Sequence, residues 1–174
     1  TIQEIDVLIS KARMDIKPVI ALIAFSGIRV IDVLQLRFEN IAHDIKYDVR
    51  ENMYRVVKLP AKIIVIQKKT KRPYVTFMGP KCANIVVTYL NFQLQLRKKP
   101  YARKEKLFNL TRAAFEQAFS RLVRRCKIEP PPMKRLRPYS LRKYFRLHVS
   151  KLGEETAEYL MGHVRGITSL TAIY

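Results

Sequence analysis

Two short segments that lie far apart in the chain set the strongest constraint on its fold. Ser26-Gly27-Ile28-Arg29 sits near the start, and Tyr139-Ser140-Leu141-Arg142 opens a last stretch that continues through Leu160-Met161-Gly162-His163 to Tyr174. A guanidinium is planar, permanently charged and able to grip two oxygens at once through parallel hydrogen bonds. A phosphodiester under attack carries charge on two non-bridging oxygens, so Arg29 and Arg142 make sense as one site if the fold brings them together. A tyrosine hydroxyl can attack phosphorus and stay covalently attached, which keeps the energy of the broken bond for later rejoining. Tyr174 is the candidate nucleophile. The departing 5′ oxygen needs a proton from a general acid within hydrogen-bond reach, a role suited to lysine on a hairpin. These residue types point to strand cleavage and rejoining with no metal and no other cofactor.

Local patterns predict a mainly helical α+β domain around those segments. Thr1-Ile2-Gln3-Glu4 has the form of a capping box, and Ile5, Leu8, Ile9 and Ala12 then recur at helical spacing. A second helix from about Pro18 runs into Ser26. Gly27 suits its C-cap, which leaves Arg29 at the start of the next helix, near backbone amides that also favour a phosphate. Three β-rich runs follow, around Ile41 to Ile45, Tyr54 to Leu59, and Ile63 to Ile66 with Tyr74 to Phe77. They predict a small three-stranded antiparallel sheet. Helices are expected from Pro80 to about Arg97 and from Thr111 to about Lys127. After the connector Pro130-Pro131-Pro132, Pro138 forces an extended entry, Ser140 caps, and Arg142 falls in the first turn of a helix ending near Gly153. Glu154 to Met161 and Ser169 to Tyr174 read as two short helices.

Charge supplies an independent argument. The 174 residues carry a net charge of +20. Residues 52 to 153 alone hold 26 Lys and Arg against Glu105, Glu116 and Glu129, and the rest of the chain is slightly acidic. Such asymmetry is the footprint of a nucleic-acid binder, because each neutralised phosphate releases counterions. A membrane surface would attract the same charge, but no apolar run approaches the ~20 residues of a spanning helix and no secretory signal opens the chain. The length and a 48% hydrophobic content fit one domain with its own core. Cys82 and Cys126 are too few for a disulfide framework or a zinc site and read as reduced core thiols, consistent with an intracellular protein. Arg97-Lys98-Lys99, Arg103-Lys104, Arg124-Arg125 and Lys134-Arg135-Leu136-Arg137 suit contacts to the phosphate backbone, which position a protein without reading bases.

The segments together resemble the tyrosine recombinase (phage integrase) family, specifically its C-terminal catalytic domain. Ser26 to Leu36 is similar to the family's first arginine box, with Asp32 at the acidic place three residues after the arginine. Ile63 to Phe77 resembles its β-hairpin, whose catalytic lysine often stands in a Lys-Thr pair, and this implies Lys69 as general acid. Lys58 on a neighbouring strand is the alternative. Tyr139 to Lys143 resembles the second arginine box, Leu160-Met161-Gly162-His163 the Leu-Gly-His element, and Thr171-Ala172-Ile173-Tyr174 the nucleophile helix. Tyr139 stands where the family usually has histidine, as it does in integrases of archaeal viruses and plasmids. Tyr174 follows His163 by eleven positions, wider than the family's usual spacing, and Tyr159 is the alternative nucleophile.

The resemblance implies a site-specific recombinase or integrase acting on double-stranded DNA attachment sites in the host cytoplasm, through a covalent 3′-phosphotyrosine intermediate. Its site would hold Arg29, Lys69, Tyr139, Arg142, His163 and Tyr174. Family members carry an N-terminal core-binding domain, whereas residues 1–174 read as the catalytic domain alone. A tetramer on DNA is expected of the full-length protein and a monomer of the isolated domain. The alternatives are a catalytically silent DNA-binding module and a type IB topoisomerase with the same intermediate. On any of these readings the basic stretch covers several phosphates, so affinity for duplex DNA should fall steeply between about 50 and 200 mM salt in a binding titration. A flat salt response would remove the phosphate-clamp reading.

Overall fold

The structure, a computed structural model, describes residues 1–129, 132 and 135–163. Tyr174 and the helix expected over 169–174 lie outside the described residues. The first helix, α1 (Ile2–Lys11), starts on the capping box read from the sequence: the Thr1 hydroxyl accepts from the Glu4 amide at 3.3 Å, and Ile5, Leu8 and Ile9 turn inward. The next, α2 (Lys17–Ser26), is buried at every position from Pro18 to Ala24. A helix apolar on all faces belongs at the centre of a core, and here α2 packs against α1, α4 (Pro80–Arg97) and α6 (Pro138–Val149).

Gly27 ends α2 in the left-handed region at φ 66°, where a side chain would be strained. The chain then turns at once into α3 (Val30–Val33), for which Arg29 is the N-cap. Two antiparallel hairpins follow, β1 (Ile45–Asp48) with β2 (Met53–Val56) and β3 (Ala61–Ile66) with β4 (Pro73–Met78). Helices α4 and α5 (Arg112–Arg125) complete the core with Val86, Leu90, Phe115 and Phe119. Beyond α6, a 3-10 turn at Ser150–Leu152 leads to α7 (Glu154–Leu160).

The three-stranded sheet expected from the sequence is replaced by two separate two-stranded ribbons among the described residues. Side chains occupy the edge of β3 where a third strand would pair. The Lys62 amide donates to the Asp44 carboxylate at 2.8 Å, and the Ile64 carbonyl accepts from the Asn40 amide side chain at 2.7 Å. Lys62 and Ile64 are two apart, so both groups face the same edge. Residues 41 to 44, expected as strand, form the turn that brings Asp44 there.

Helix α6 also begins earlier than its sequence predicts. It starts at Pro138, whose missing N–H suits a first turn, and its N-cap is Arg137, not Ser140. The Ser140 hydroxyl accepts from the Arg137 amide at 3.4 Å, and Arg142 falls in the second turn. The 3-10 turn, not α6 itself, reaches Gly153. Cys82 is buried against Ser26, and burial pushes its thiol up to about 12.

The contact that aligns these parts lies at Gly27. The Phe145 ring of α6 rests on the Gly27 backbone, and a Cβ at that position would collide with it. Gly27→Ala should therefore combine left-handed strain with overpacking and cost about 2 kcal/mol or more of unfolding free energy, read from urea or thermal unfolding. An unchanged midpoint would show that α6 is not seated by this contact.

Candidate active site

Phe145 sits one helical turn from Arg142, so its seating on Gly27 sets Arg142 beside the start of α3. Arg29 and Arg142 line one cleft of about 610 Å³, together with Ile23, Ile28, Glu116 and Tyr139. Glu116 is already paired with Arg112 at 2.7 Å, so the cleft keeps an excess of positive charge. Tyr139 stands 61% exposed on the first turn of α6, with the Lys143 ammonium 5.5 Å from its ring centre.

Arg142 is 2% exposed. Burial, reinforced by the like charge of Arg29, pulls it down from 12.5 to about 10, so it stays a cation at neutral pH under electrostatic tension. Its Nη2 donates to the Met161 carbonyl at 2.8 Å and to Nε2 of His163 at 3.0 Å, while its buried Nη1 has no hydrogen-bond partner among the described residues. An unsatisfied guanidinium donor beside a second arginine is what an anion would complete.

Arg29 is about one-third exposed and lies 3.9 Å from the buried Asp32 carboxylate. The other oxygen of Asp32 accepts from the Lys68 amide at 2.8 Å. Asp32 thus ties the turn between β3 and β4 to the first arginine. The same hairpin is fastened on its far side: the Gln67 side-chain amide donates to the Gly162 carbonyl at 2.5 Å, and Gln67 and Tyr74 press on Gly162 so closely that a Cβ would collide with both. The buried Tyr74 hydroxyl has no hydrogen-bond partner among the described residues, and burial holds it up at about 12. Tyr74 therefore stays a neutral phenol.

His163 is placed by the end of α7. The Gly162 amide donates to the Tyr159 carbonyl at 2.9 Å and the His163 amide to the Glu158 carbonyl at 2.8 Å, with Gly162 at φ 67°. This pair of bonds is a Schellman motif, which folds the residue after the glycine back over the last turn. His163 lands on Glu158, and its Nδ1 is 3.0 Å from that carboxylate. Arginine can only donate, so Nε2 accepts from Arg142 and the ring proton is on Nδ1, facing Glu158. Burial and Arg142 lower the tendency of His163 to take a second proton, against the pull of Glu158.

Of the residues expected at the site, the structure brings together Arg29, Tyr139, Arg142 and His163. Lys69 is exposed at the β3–β4 turn, next to the residue that Asp32 holds, and Lys58 is exposed between β2 and β3. Tyr159 is half-buried on α7, and Tyr174 lies outside the described residues. Glu158, Gln67 and Tyr74 were not read from the sequence. Glu158 had a signal: a glycine just past a helix end predicts that the next residue meets the side of the last turn.

No known family model matches the sequence, and no curated protein is detectably similar to it. Solved structures do match. The lambda integrase catalytic core aligns with a TM-score of 0.62 at 14% identity, over 94% of this chain and 93% of that one. The fold is that of an integrase catalytic core. XerA recombinase aligns at TM-score 0.66 and 19% identity, over 95% of this chain and 56% of its own, and XerH recombinase bound to difH substrate at 0.64 and 16%, over 94% and 46%. The chain therefore spans about half the length of these two recombinases.

The depressed His163 has a pH signature. A histidine held below its ordinary 6.5 adds stability that is present above that pH and is lost as pH falls through the folded value. In unfolding measured from pH 8 down to 5, wild type should lose more stability below about pH 6.5 than His163→Gln does. Parallel curves would mean that His163 titrates as a solvent-exposed ring.

Proposed function

We propose that this chain is the catalytic domain of a site-specific DNA recombinase or integrase, which cleaves and rejoins strands through a covalent 3′-phosphotyrosine. The observation that carries the reading is the convergence of Arg29 and Arg142 on one positive cleft, with His163 against one amino group of the buried Arg142 and no partner for the other among the described residues. A protein that only bound DNA would gain little from burying an arginine at such electrostatic cost. Surface lysines suffice for that. The integrase-core fold supports the same reading, as do the solved forms of its neighbours: XerH on its difH substrate, and lambda integrase as a tetramer on a Holliday junction.

In this mechanism Arg29 and Arg142 hold the non-bridging oxygens of the scissile phosphate, and Tyr139 donates to the same group from the rim of the cleft. The Tyr174 oxygen attacks phosphorus and passes its proton to solvent water as the bond forms, and the bond to the deoxyribose 5′ oxygen breaks. Lys69 gives that oxygen its proton. The reverse attack by a 5′ hydroxyl rejoins the strand and frees the tyrosine. The partner is a double-stranded attachment site, with a tetramer of the complete protein as the working assembly. Tyr139 in place of histidine supports a place among the integrases of archaeal viruses and plasmids.

A nicked suicide substrate, from which the leaving fragment diffuses away, should trap protein on DNA as an adduct resolved by denaturing gel. Tyr174→Phe should abolish the adduct and leave noncovalent DNA binding nearly intact. An adduct undiminished in Tyr174→Phe and lost in Tyr159→Phe would reassign the nucleophile. Because guanidiniums supply the charge neutralisation, adduct formation should persist in excess EDTA; a need for magnesium in the chemical step would favour a nuclease.

Arg142→Lys keeps the charge and loses the planar fork, so adduct formation should slow by about 10²-fold or more with little change in DNA affinity. Equal losses in binding and cleavage would make Arg142 a positioning contact only.

A further inference from the structure

We propose that Glu158 is a positioning residue for this site: its carboxylate fixes the His163 ring with the proton on Nδ1, so that Nε2 remains an acceptor that anchors Arg142. The effect on cleavage rests on the recombinase reading above; the effect on the ring does not.

Three observations carry the assignment. The Schellman turn at Gly162 sets the His163 backbone over Glu158, so the pairing is built into the end of α7. One Glu158 oxygen lies 3.0 Å from Nδ1, while the other pairs with Arg146 at 3.1 Å, and Arg146 also reaches Glu154 at 3.4 Å. The carboxylate is thereby held from the solvent side and presented to the ring from a fixed direction. On the inner side, Arg142 Nη2 has two acceptors, the Met161 carbonyl and Nε2. If the proton moved to Nε2, or if the ring took a second proton, an N–H would face an N–H across the second of these contacts. Arg142 would then lose one of the two acceptors that orient its guanidinium in the cleft.

Among the described residues, the charged groups facing His163 divide cleanly. Arg142 on α6 and Arg29 at the start of α3 disfavour the doubly protonated ring, and Glu158 on α7 favours it, with Arg146 and Glu154 behind that carboxylate. Cleavage should therefore fail at acid pH as His163 takes its second proton. Glu158→Gln removes the negative charge but leaves an oxygen to accept from Nδ1, so His163 should protonate at lower pH and the acid limb of cleavage should move down. Glu158→Ala removes the acceptor. The ring is then free to exchange tautomers, and cleavage on the neutral plateau should fall about tenfold or more.

The test uses the 174-residue chain with ¹⁵N-labelled histidine, in wild type, Glu158→Gln and Glu158→Ala. Long-range ¹H–¹⁵N spectra report tautomer and titration for each ring, and His163→Gln assigns the signal against His43 and His148. The expected result is a single Nδ1–H tautomer in wild type, the same tautomer with a lowered titration midpoint in Glu158→Gln, and mixed tautomers in Glu158→Ala. Thermal unfolding of each variant shows that it is folded. A wild-type ring protonated on Nε2, or a His163 signal unchanged in both variants, would overturn the proposal. So would wild-type adduct rates across the pH range in Glu158→Ala. The ring readout needs no DNA, so it decides the Glu158 assignment even if wild-type protein forms no adduct, an outcome that would overturn the recombinase reading instead.

Discussion

Phe145 can lie on the backbone at Gly27 because that residue has no side chain, and the rest of the site is organised around the contact. The glycine ends α2 and reverses the chain so that Arg29 caps α3 beside it. The aromatic ring belongs to α6, one turn from Arg142, so seating it carries the second arginine to the first. The clasp on Gly162 repeats this device from the other side. Gln67 and Tyr74 of the second hairpin press on that glycine, and the turn they hold presents Met161 and His163 to Arg142. Two close approaches to glycine backbone thus assemble three distant stretches of chain into one cleft.

The assembled site is electrostatically expensive. Arg142 is buried next to another cation, which is why its proton is held less tightly than that of an ordinary arginine. Among the described residues its hydrogen-bond partners are two neutral acceptors and no carboxylate, and its Nη1 has none. Asp32 spends one oxygen on the Lys68 amide and faces Arg29 at 3.9 Å with the other. Such a site suits a group carrying negative charge on more than one oxygen, because two guanidinium side chains line the same cleft. The surrounding basic surface adds attraction at longer range and is screened by salt. The buried Arg142 is screened much less.

Much of this was legible in the sequence where a local rule applied. The capping box at Thr1, the glycine cap after α2, Arg29 at a helix start and the run from Pro80 to Arg97 follow from short-range chemistry, and the structure places them as read. The sheet was not legible, because what stops a third strand from joining β3 is two side chains, Asp44 and Asn40, that bond to its edge across the fold. Ser140 looked like a cap because it is the usual residue type, yet Pro138 is better suited to the first turn and moves the helix start back. Glu158 reads as one more acidic residue on an exposed short helix until the reversal at Gly162 folds His163 onto it. Lys69 was read from resemblance, and Tyr174 from the chemistry of attack on phosphorus. The structure sets the first at an exposed turn, and the second lies outside the described residues.

The central claim is that Arg29 and Arg142 act as a pair on one phosphate. It is tested most directly by a double-mutant cycle, comparing the rate of covalent adduct formation on a suicide substrate in Arg29→Ala, Arg142→Ala and the double variant. Two groups that hold the same phosphate should be strongly non-additive, so that the double variant loses far less than the product of the single losses. Losses that multiply independently would contradict the account and place the two arginines at separate tasks.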